Sequence, residues 1–341
     1  MESGIKRSIG VLLLNLGGPD SLSAVQPFLY NLFSDREIIR LGPAFLQKPL
    51  AWLISFLRSA KTRAAYTLIG GRSPIRELTL DQAKALEQSL NEESAAISRE
   101  TAFRVFVGMR YWHPFTEDAV RHISAEGIDR VLVLSLYPHY SVATTASSFS
   151  ELKRVLTSFP SIRTHHILSW YDYPLYIDAL AEKIDKGLAM FCSSSPAAEI
   201  SPDDVHLLFS AHSLPKKFVE EGDPYVDHIM ATVKAVTARF SNPWELSYQS
   251  KSGPVAWLEP STEQMIEKMA SGGVKNVLAV PVSFVSDHIE TLYEIDMLYK
   301  DMAAGYGMRL ERAESLNLSR TFISALKAII LNGMKEAGWN E

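Results

Sequence analysis

Three short apolar runs recur in the same order in the two halves of this chain. In the first half they are GVLLLNLGGP, RVFVGMRYWHP and GIDRVLVLSLYPHYS, which begin at residues 10, 104 and 127. In the second half they are VHLLFSAHSLP, WELSYQSKSGP and GVKNVLAVPVSFVSDH, which begin at residues 205, 244 and 273. Apolar runs of this kind are typical of parallel strands that are buried on both faces. The repeat therefore predicts two similar halves, each built on a parallel sheet.

Helical patterns lie between these runs. TEDAVRHISAEG and TEQMIEKMASGG have a helical period, and each ends at glycine, as helices commonly do. Strands that alternate with helices predict an α/β fold with two doubly wound, Rossmann-like halves and a cleft between them. We place the first half at residues 1–160 and the second at 201–341. The segment 161–200, which contains most of the loop sequence FCSSSPAAEISPDD, is predicted to connect them.

The first half has an insertion between its first and second strands. It is longer there than the second half by roughly 50 residues, which is about the size of the stretch 30–80. An insertion at this point lies over the crevice where open α/β sheets bind ligands. It contains an apolar lip, about residues 40–75, with the uncharged run PLAWLISFL and flanking basic residues. The run is far shorter than the roughly 20 residues that span a bilayer. It is either a helix that dips into a membrane surface or an amphipathic helix packed on the core.

Composition narrows the classes of partner and cofactor. A net charge of −5 gives no reason to expect nucleic acid as a partner. The single cysteine, Cys192, excludes an intrachain disulfide and a four-cysteine zinc or iron–sulfur site. We therefore expect a protein of a reducing compartment, the cytoplasm. The sequence does not determine its oligomeric state.

In a fold of this class, chemistry gathers at the carboxyl ends of the strands. His212 ends the apolar strand of LFSAHSLP, where a histidine is either structural or a general base suited to neutral pH. The GGP turn at 17–19 matches no phosphate-loop pattern, so a nucleotide site is not indicated.

A second candidate is the acidic stretch FVSDHIETLYEIDM at 284–297. If a helix begins near Asp287, then Asp287, Glu290 and Glu294 fall within an arc of about 60°. Acids in a first helical turn favour the helix dipole, and aspartate is a good N-cap. Capping and the helix dipole account for Asp287 and Glu290 but not for Glu294. The stretch is either an ordinary charged helix start or a site opposite His212 that holds a divalent cation or passes protons.

Six motifs together resemble the ferrochelatase family: LLNLGGP, MRYWHP, YPHYSVATTASS, FSAHSLP, QSKSGPVAWLEP and DHIETLYEID. They occur in the family's order between about residues 9 and 305. The resemblance implies a chelatase-like fold and a lyase that inserts Fe²⁺ into protoporphyrin IX, with release of two protons, in the last step of protohaem synthesis. A coproporphyrin III ferrochelatase and a non-catalytic porphyrin or haem carrier remain as alternatives.

The resemblance also implies roles for individual residues. His212 and Glu290 are expected to be catalytic; His212 takes protons from the pyrrole nitrogens or binds the iron directly, and Glu290 faces it across the macrocycle. The expected metal path comprises His212, Glu290, Asp287, His288 and Glu294. The expected porphyrin contacts are Leu16, Arg58, Tyr66, Ser73, Arg110, Tyr111, Trp257 and Phe284, with Arg110 and Tyr111 on the opposite wall.

The sequence departs from the family's pattern in two places. Some members bind a two-iron two-sulfur cluster through cysteines near the C-terminus, and the tail SALKAIILNGMKEAGWNE has none. We therefore expect no iron–sulfur cluster and no cofactor beyond the substrate Fe²⁺. Leu16 stands where other members often carry methionine. The LLNLGGP start and the apolar lip favour protoporphyrin over coproporphyrin, and the lip predicts peripheral association with the inner face of a membrane.

Overall fold

Two four-stranded parallel sheets form the framework of the protein. The computed structural model describes residues 7–96, 101–193, 200–251, 253 and 255–339. The strands are β1 (Arg7–Asn15), β2 (Thr101–Met109), β3 (Arg130–Ser135), β4 (Arg163–Ile167), β5 (His206–His212), β6 (Trp244–Gln249), β7 (Asn276–Pro281) and β8 (Arg309–Arg312). The strand orders are β2-β1-β3-β4 and β6-β5-β7-β8, and all pairs are parallel.

Helices alternate with the strands, and the helix Pro174–Ser193 links the first sheet to the second. They are α1 (Val25–Ser34), α2 (Gln47–Leu68), α3 (Ile75–Ala96), α4 (Thr116–Ala125), α5 (Ser147–Leu156), α6 (Pro174–Ser193), α7 (Lys216–Glu220), α8 (Tyr225–Thr237), α9 (Thr262–Ser271), α10 (Lys300–Gly305) and α11 (Arg320–Glu336). Two segments, Val142–Ala146 and Glu290–Tyr299, have π-helical geometry, and short 3₁₀ turns lie at Ala44–Leu46 and Pro202–Asp204.

The two sheets have the same topology, which confirms the predicted repeat. β1, β2 and β3 occupy the positions that β5, β6 and β7 occupy in the second sheet. A fourth equivalent pair, β4 and β8, was not predicted. These edge strands have the sequences RTHHI and RLER and are largely half-exposed, so they lack the continuous apolar pattern of a buried strand.

The central strands are buried on both faces. In β1, Ile9, Val11 and Leu13 enter one apolar cluster, whereas Leu12 and Leu14 enter another beneath α4 and α5. This alternation follows from the two-residue period of a strand. It explains why the run is apolar throughout, since neither face of β1 meets water.

The last helix of each half packs against the other half's sheet. α6, which follows β4, lies against β7, and a Cβ at Gly187 would come within 2.7 Å of Leu278. α11, at the end of the second half, lies against β3 and β4, and a Cβ at Gly333 would come within 2.7 Å of Ile167. The two glycines permit these close approaches. One apolar cluster therefore runs through both halves.

The packing of α6 against the second sheet means that the segment 161–200 contributes to both halves. The segment contains β4, which completes the first sheet, and α6, which packs against the second. Residues 194–199 of its loop sequence lie outside the described residues. The division into units at residues 160 and 200 stays a prediction.

The insertion lies where its spacing predicted, at the carboxyl end of β1. α1 and α2 form a small apolar cluster of their own, which takes in Tyr111 after β2. Leu16 and Ile289 pack against this cluster, and α2 touches the π-helix Glu290–Tyr299 of the second half. The insertion thus reaches across the ends of both sheets. None of the described helices combines the length and the hydropathy needed to cross a membrane.

His139 is buried where the two halves meet, just after β3. Its Nε2 lies 2.9 Å from the hydroxyl of Thr232 in α8, and its ring packs edge-on against Tyr176 and Tyr225. Its Nδ1 is buried without a hydrogen-bond partner among the described residues. Burial, with a smaller effect of His228, lowers the pKa of His139 from 6.5 to about 3. The contact between the halves therefore requires a neutral imidazole.

We expect His139 to make the fold sensitive to acid. As the pH falls from 7 to 5, this one histidine should lower the free energy of unfolding by about 2 kcal/mol. The unfolded chain takes up this proton near pH 6.5, whereas the folded chain excludes it until about pH 3. The contribution is complete above pH 7 and is lost as the pH falls. Urea unfolding at pH 7, 6 and 5 measures it.

The variant His139→Gln keeps a polar group near Thr232 but does not titrate. It should lose about 2 kcal/mol less than the wild type over the same pH range. His122→Gln on the exposed face of α4 removes a histidine outside the contact between the halves and is the matched control. Identical pH profiles for wild type and His139→Gln would contradict this assignment.

Candidate active site

His212 is the last residue of β5, an inner strand of the second sheet. Its backbone N–H donates to the Ser283 hydroxyl at 2.8 Å, and its carbonyl accepts from the Tyr225 hydroxyl at 3.0 Å. Phe284 packs edge-on against the imidazole, with ring centroids 5.9 Å apart. The backbone of His212 is thus fixed from both sides, while its side chain is 31% exposed. A ring held in this way can meet a ligand without first being ordered.

Glu290 begins the π-helix and pairs with His212. Its Oε2 lies 2.9 Å from His212 Nδ1, and its backbone carbonyl accepts from the Gln249 side chain at 3.1 Å. When the neutral imidazole donates Nδ1–H to this carboxylate, Nε2 keeps its lone pair and can accept a proton. Glu290 therefore fixes the tautomer in which His212 acts as a base.

Glu294 lies beside this pair, one π-helical turn further on. Its Oε2 accepts from the Ser250 hydroxyl at 2.5 Å and from the Gln249 side chain at 3.2 Å. Ser250 has a φ of 67°, in the left-handed region that few residues other than glycine adopt. The turn after β6 thus holds an unusual backbone conformation at the point where its hydroxyl meets Glu294.

The electrostatics of the three groups are linked. Burial alone would raise the pKa of Glu290, but the charge and hydrogen bond of His212 hold that pKa well below its usual range. Burial also opposes a charge on His212, and the Glu290 carboxylate outweighs it, so the pKa of His212 is raised. Burial, and then the charge of Glu290, raise the pKa of Glu294 to about 7. The site therefore offers two groups that can take up a proton, His212, whose pKa is raised, and Glu294, whose pKa is about 7.

His288 is buried behind Glu290. Its Nδ1 lies 3.0 Å from the Ser286 carbonyl, its ring packs on Phe284 at 4.2 Å, and its Nε2 is 3.8 Å from Glu290 Oε2. That nitrogen has no hydrogen-bond partner among the described residues. One nitrogen of His288 thus faces the His212–Glu290 pair.

Asp287 is not part of this arrangement. Its carboxylate is held by Arg312 at 2.9 Å, Ser315 at 2.7 Å and Asn317 at 2.8 Å. Arg312 also makes two 2.8 Å hydrogen bonds to Asp296. The acids of the stretch therefore divide into two sets. Glu290 and Glu294 lie at His212, whereas Asp287 and Asp296 hold the π-helix through Arg312.

The sequence-based helix geometry was wrong at this point. The helix begins at Glu290 rather than near Asp287, and it is a π-helix to which the 100° wheel does not apply. In the parts of the chain that the structure describes, no group of three or more His, Cys, Asp or Glu side chains is arranged to hold a metal ion.

Arg110 and Tyr111 follow β2 and share a buried partner that the sequence did not indicate. Arg110 Nη2 donates to Asp35 at 2.8 Å, and the Tyr111 hydroxyl donates to the same carboxylate at 2.7 Å. Asp35 is 75 residues from Arg110 in the chain and stands among other charged residues in SDREIIR. No local pattern distinguishes it, so only the tertiary structure identifies it.

The remaining predicted porphyrin contacts lie at the ends of the strands or in the insertion. Tyr66 is buried in the insertion cluster, and burial followed by the charge of Glu290 raises its pKa. Ser73 packs against the turn after β1, where a Cβ at Gly18 would lie 2.6 Å from it. Trp257 is half-buried, with its indole nitrogen lacking a described partner. Arg58 is exposed on α2, and its guanidinium lies over the Phe33 ring at 5.4 Å.

Comparison with known proteins agrees with this architecture. The ferrochelatase family model matches residues 8–334. Ferrochelatase from Geotalea uraniireducens (strain Rf4) is 54% identical over 323 residues, which cover 94% of this chain and 96% of that protein. Ferrochelatase from Gloeobacter violaceus is 47% identical over 333 residues, which cover 96% and 98%.

Solved structures share the fold at low sequence identity. SirB from Bacillus subtilis with Fe³⁺ matches with a TM-score of 0.54 and 9% identity, covering 98% of both chains. DR2241 from Deinococcus radiodurans, described as structurally similar to chelatases, matches with a TM-score of 0.51 and 13% identity, covering 96% of this chain and 55% of that one. The fold is therefore of the chelatase type. On the family match and on relatives about half identical over nearly its whole length, this chain belongs to the ferrochelatase family.

Proposed function

We propose that this member of the ferrochelatase family, a metal-chelating lyase of haem synthesis, takes protoporphyrin IX as its porphyrin. In this reaction Fe²⁺ enters the macrocycle and two pyrrole N–H protons leave, so the charges balance. The observation that carries metal insertion is the His212–Glu290 pair with Glu294 beside it, since His212 and Glu294 can each accept one proton. The exposed apolar residues of α2 favour protoporphyrin IX over a porphyrin with more carboxylates.

We assign the first proton to His212. The Nε2 atom of His212 has a lone pair that can accept this proton, because Nδ1 faces Glu290. The Glu290 carboxylate then stabilises the imidazolium that forms. Glu294 is the acceptor for the second proton, because its pKa lies at about 7 and Ser250 and Gln249 hold its carboxylate at the site. The Glu290 carboxylate also lowers the electrostatic cost of bringing a dication to the ring.

The proposed macrocycle site uses the side chains that surround this group. Leu16 and Phe284, from opposite halves, supply apolar surface, and Trp257 brings an indole. The nitrogens of a planar porphyrin are poorly accessible from either face. Side chains that contact both faces of the macrocycle can bend it and so expose the nitrogens. His288, whose ring packs on Phe284, supports this apolar surface. Asp287 is assigned to the structural network of Arg312 rather than to the metal path.

The proposal includes no resident cofactor. A single cysteine cannot hold a two-iron two-sulfur cluster by itself. Fe²⁺ is a substrate here and not a permanent ligand of the protein.

The choice of porphyrin is tested by a metallation assay. We expect kcat/KM for protoporphyrin IX to exceed that for coproporphyrin III by about tenfold or more, because two additional carboxylates would have to be desolvated beside an apolar insertion. Loss of porphyrin fluorescence on metal insertion measures both rates in parallel. Equal or reversed rates would assign the chain to coproporphyrin. Binding of both porphyrins without turnover would make it a carrier.

His212→Ala should abolish the proton acceptor without removing the porphyrin site. We expect kcat to fall by on the order of 10²-fold or more, while the porphyrin Kd changes little. Fluorescence titration with metal-free porphyrin measures Kd, and insertion of Fe²⁺ or Zn²⁺ measures kcat. His122→Ala, on an exposed helix face, is the control. Near-normal insertion by His212→Ala would exclude the role assigned to it.

Glu290→Gln should leave the fold intact and slow turnover roughly tenfold or more, since the imidazolium loses its carboxylate partner. The exposed Glu267→Gln in α9 is the matched control for loss of one negative charge. Thermal unfolding of both variants separates a catalytic effect from a structural one. Wild-type kcat in Glu290→Gln would contradict the role of the pair.

We also propose that the protein is cytoplasmic and associates peripherally with the inner face of the membrane through α2. This helix exposes Trp52, Phe56 and Leu57 by 56%, 55% and 67%, and the Trp52 and Phe56 rings stack at 5.7 Å. Its charged residues, Lys48, Arg58, Lys61 and Arg63, are all basic. Apolar side chains with basic neighbours suit an anionic membrane surface.

Replacing Trp52 and Phe56 by serine should weaken vesicle binding by about tenfold or more, because two aromatic side chains no longer leave water. Sedimentation with phosphatidylcholine vesicles, with and without phosphatidylglycerol, measures this. Leu168→Ser removes an apolar side chain outside α2 that is 45% exposed and is the control. Unchanged sedimentation of the double variant would contradict the membrane proposal.

A further inference from the structure

Asp35 has an unusual set of partners for a buried carboxylate. A single oxygen, Oδ2, accepts three hydrogen bonds: from Arg110 Nη2 at 2.8 Å, from the Tyr111 hydroxyl at 2.7 Å and from the Ser147 hydroxyl at 2.6 Å. The residue is 8% exposed. Hydrogen bonds to an ionised carboxylate are about twice as strong as neutral ones. This oxygen is therefore the point at which three separate segments of the chain are held together.

The three donors come from two segments, neither of which belongs to the insertion. Asp35 follows the end of α1, in the insertion, whereas Arg110 and Tyr111 follow β2 and Ser147 begins α5. The other carboxylate oxygen, Oδ1, accepts the backbone N–H of Glu37 at 2.9 Å, which fixes the side chain against its own loop. Asp35 thus anchors the insertion to the end of the first sheet.

Asp35 carries a charge in this environment. Burial opposes ionisation, but the hydrogen bonds from Ser147 and Tyr111 and the charge of Arg110 outweigh it, so the pKa of Asp35 is lowered. The carboxylate and the guanidinium therefore form a neutral pair at this wall of the cleft.

The same contacts fix the orientation of Arg110. Its Nε donates to Ser147 Oγ at 2.9 Å and its Nη2 donates to Asp35, and two fixed points define the plane of the guanidinium. Nη1 has no acceptor among the described residues, and the side chain is 19% exposed. Hydrogen bonds thus hold Nε and Nη2 of Arg110, while Nη1 remains available to another acceptor.

Arg110 lies in the same region as Glu290, because its neighbour Tyr111 belongs to the insertion cluster against which Ile289, the residue before Glu290, packs. Both groups influence the buried Tyr137 after β3: burial raises its pKa, the guanidinium lowers it and the Glu290 carboxylate raises it further. A guanidinium without a counter-charge would therefore add positive potential where a divalent cation must approach Glu290.

We propose that Asp35 is a positioning residue of the cleft, which orients Arg110 and neutralises its charge so that a divalent cation meets no net positive potential at this wall. The inference rests on the proposed metal insertion. It goes beyond it by assigning a role to an acid of the insertion that contacts neither the histidine nor the acids of the π-helix.

The test is the dependence of metallation on ionic strength, with Zn²⁺ as the metal and protoporphyrin IX as the acceptor. Asp35→Asn leaves the guanidinium unbalanced, and kcat/KM for the metal should fall by on the order of tenfold at low salt and recover as salt screens the charge. Arg110→Gln leaves the carboxylate unbalanced, so kcat/KM should fall more steeply with salt than in the wild type. The double variant Asp35→Asn/Arg110→Gln should restore the wild-type slope.

Ser147→Ala is the matched structural control. It removes a hydrogen bond from the same oxygen but keeps both charges, so its slope against salt should equal that of the wild type. If Asp35→Asn does not fold, Arg110→Gln and the double variant still test the proposal, because kcat/KM should fall more steeply with salt in the first than in the second. Equal slopes for all variants would overturn the proposal.

A second measurement separates this inference from the proposed function. Urea unfolding of the two single variants and the double variant gives the coupling between Asp35 and Arg110 without any turnover. A wild type that inserts no metal, together with strong coupling, would refute the proposed function and leave the anchoring contact established. Active wild type with equal salt slopes would refute the positioning role alone, and so would absence of coupling.

Discussion

The cleft depends on one apolar core that the two sheets share. α6 leaves the first sheet and packs against the second, and α11 leaves the second and packs against the first. Gly187 and Gly333 allow these helices to approach within van der Waals contact of Leu278 and Ile167. Because each sheet buries its face with a helix from the other half, the relative position of the halves is fixed by close packing. The distance between the strand ends of the two sheets then follows.

Within the cleft, the partner of each buried carboxylate decides what that carboxylate can do. Asp287 is paired with Arg312 and Asp35 with Arg110, so both stay ionised and hold structure in place. Glu290 is paired with His212, whose pKa its charge raises, and the Nε2 atom of the imidazole can accept a proton while Nδ1 faces the carboxylate. Glu294 receives hydrogen bonds from Ser250 and Gln249 without a cationic side chain beside it in those contacts, and its pKa rises to about 7. Neighbouring acids thus acquire different properties from their surroundings alone.

Much of the fold could be read from the sequence because burial leaves a clear pattern. The runs around Leu12, Phe209 and Val280 are apolar throughout, as strands covered on both faces must be. β4 and β8 were missed because edge strands such as RTHHI alternate little and are half-exposed. The insertion was located by spacing alone, since the two halves otherwise repeat. The structure adds that this insertion packs against Leu16 of the first half and Ile289 of the second.

The site was predictable only in part. His212 and Glu290 were identified from a strand end, an acidic stretch and the family motifs, and the structure brings them to 2.9 Å. Asp287 was grouped with them because an α-helical wheel was applied where the chain forms a π-helix. By itself the sequence determined the two parallel sheets, the insertion and the family, because strand burial and motif order are encoded in local runs. Only the tertiary structure decided which acids face His212 and which face an arginine, and that Asp35 holds Arg110. Those partners are separated by tens of residues, and no local pattern encodes which distant charge a buried carboxylate will meet.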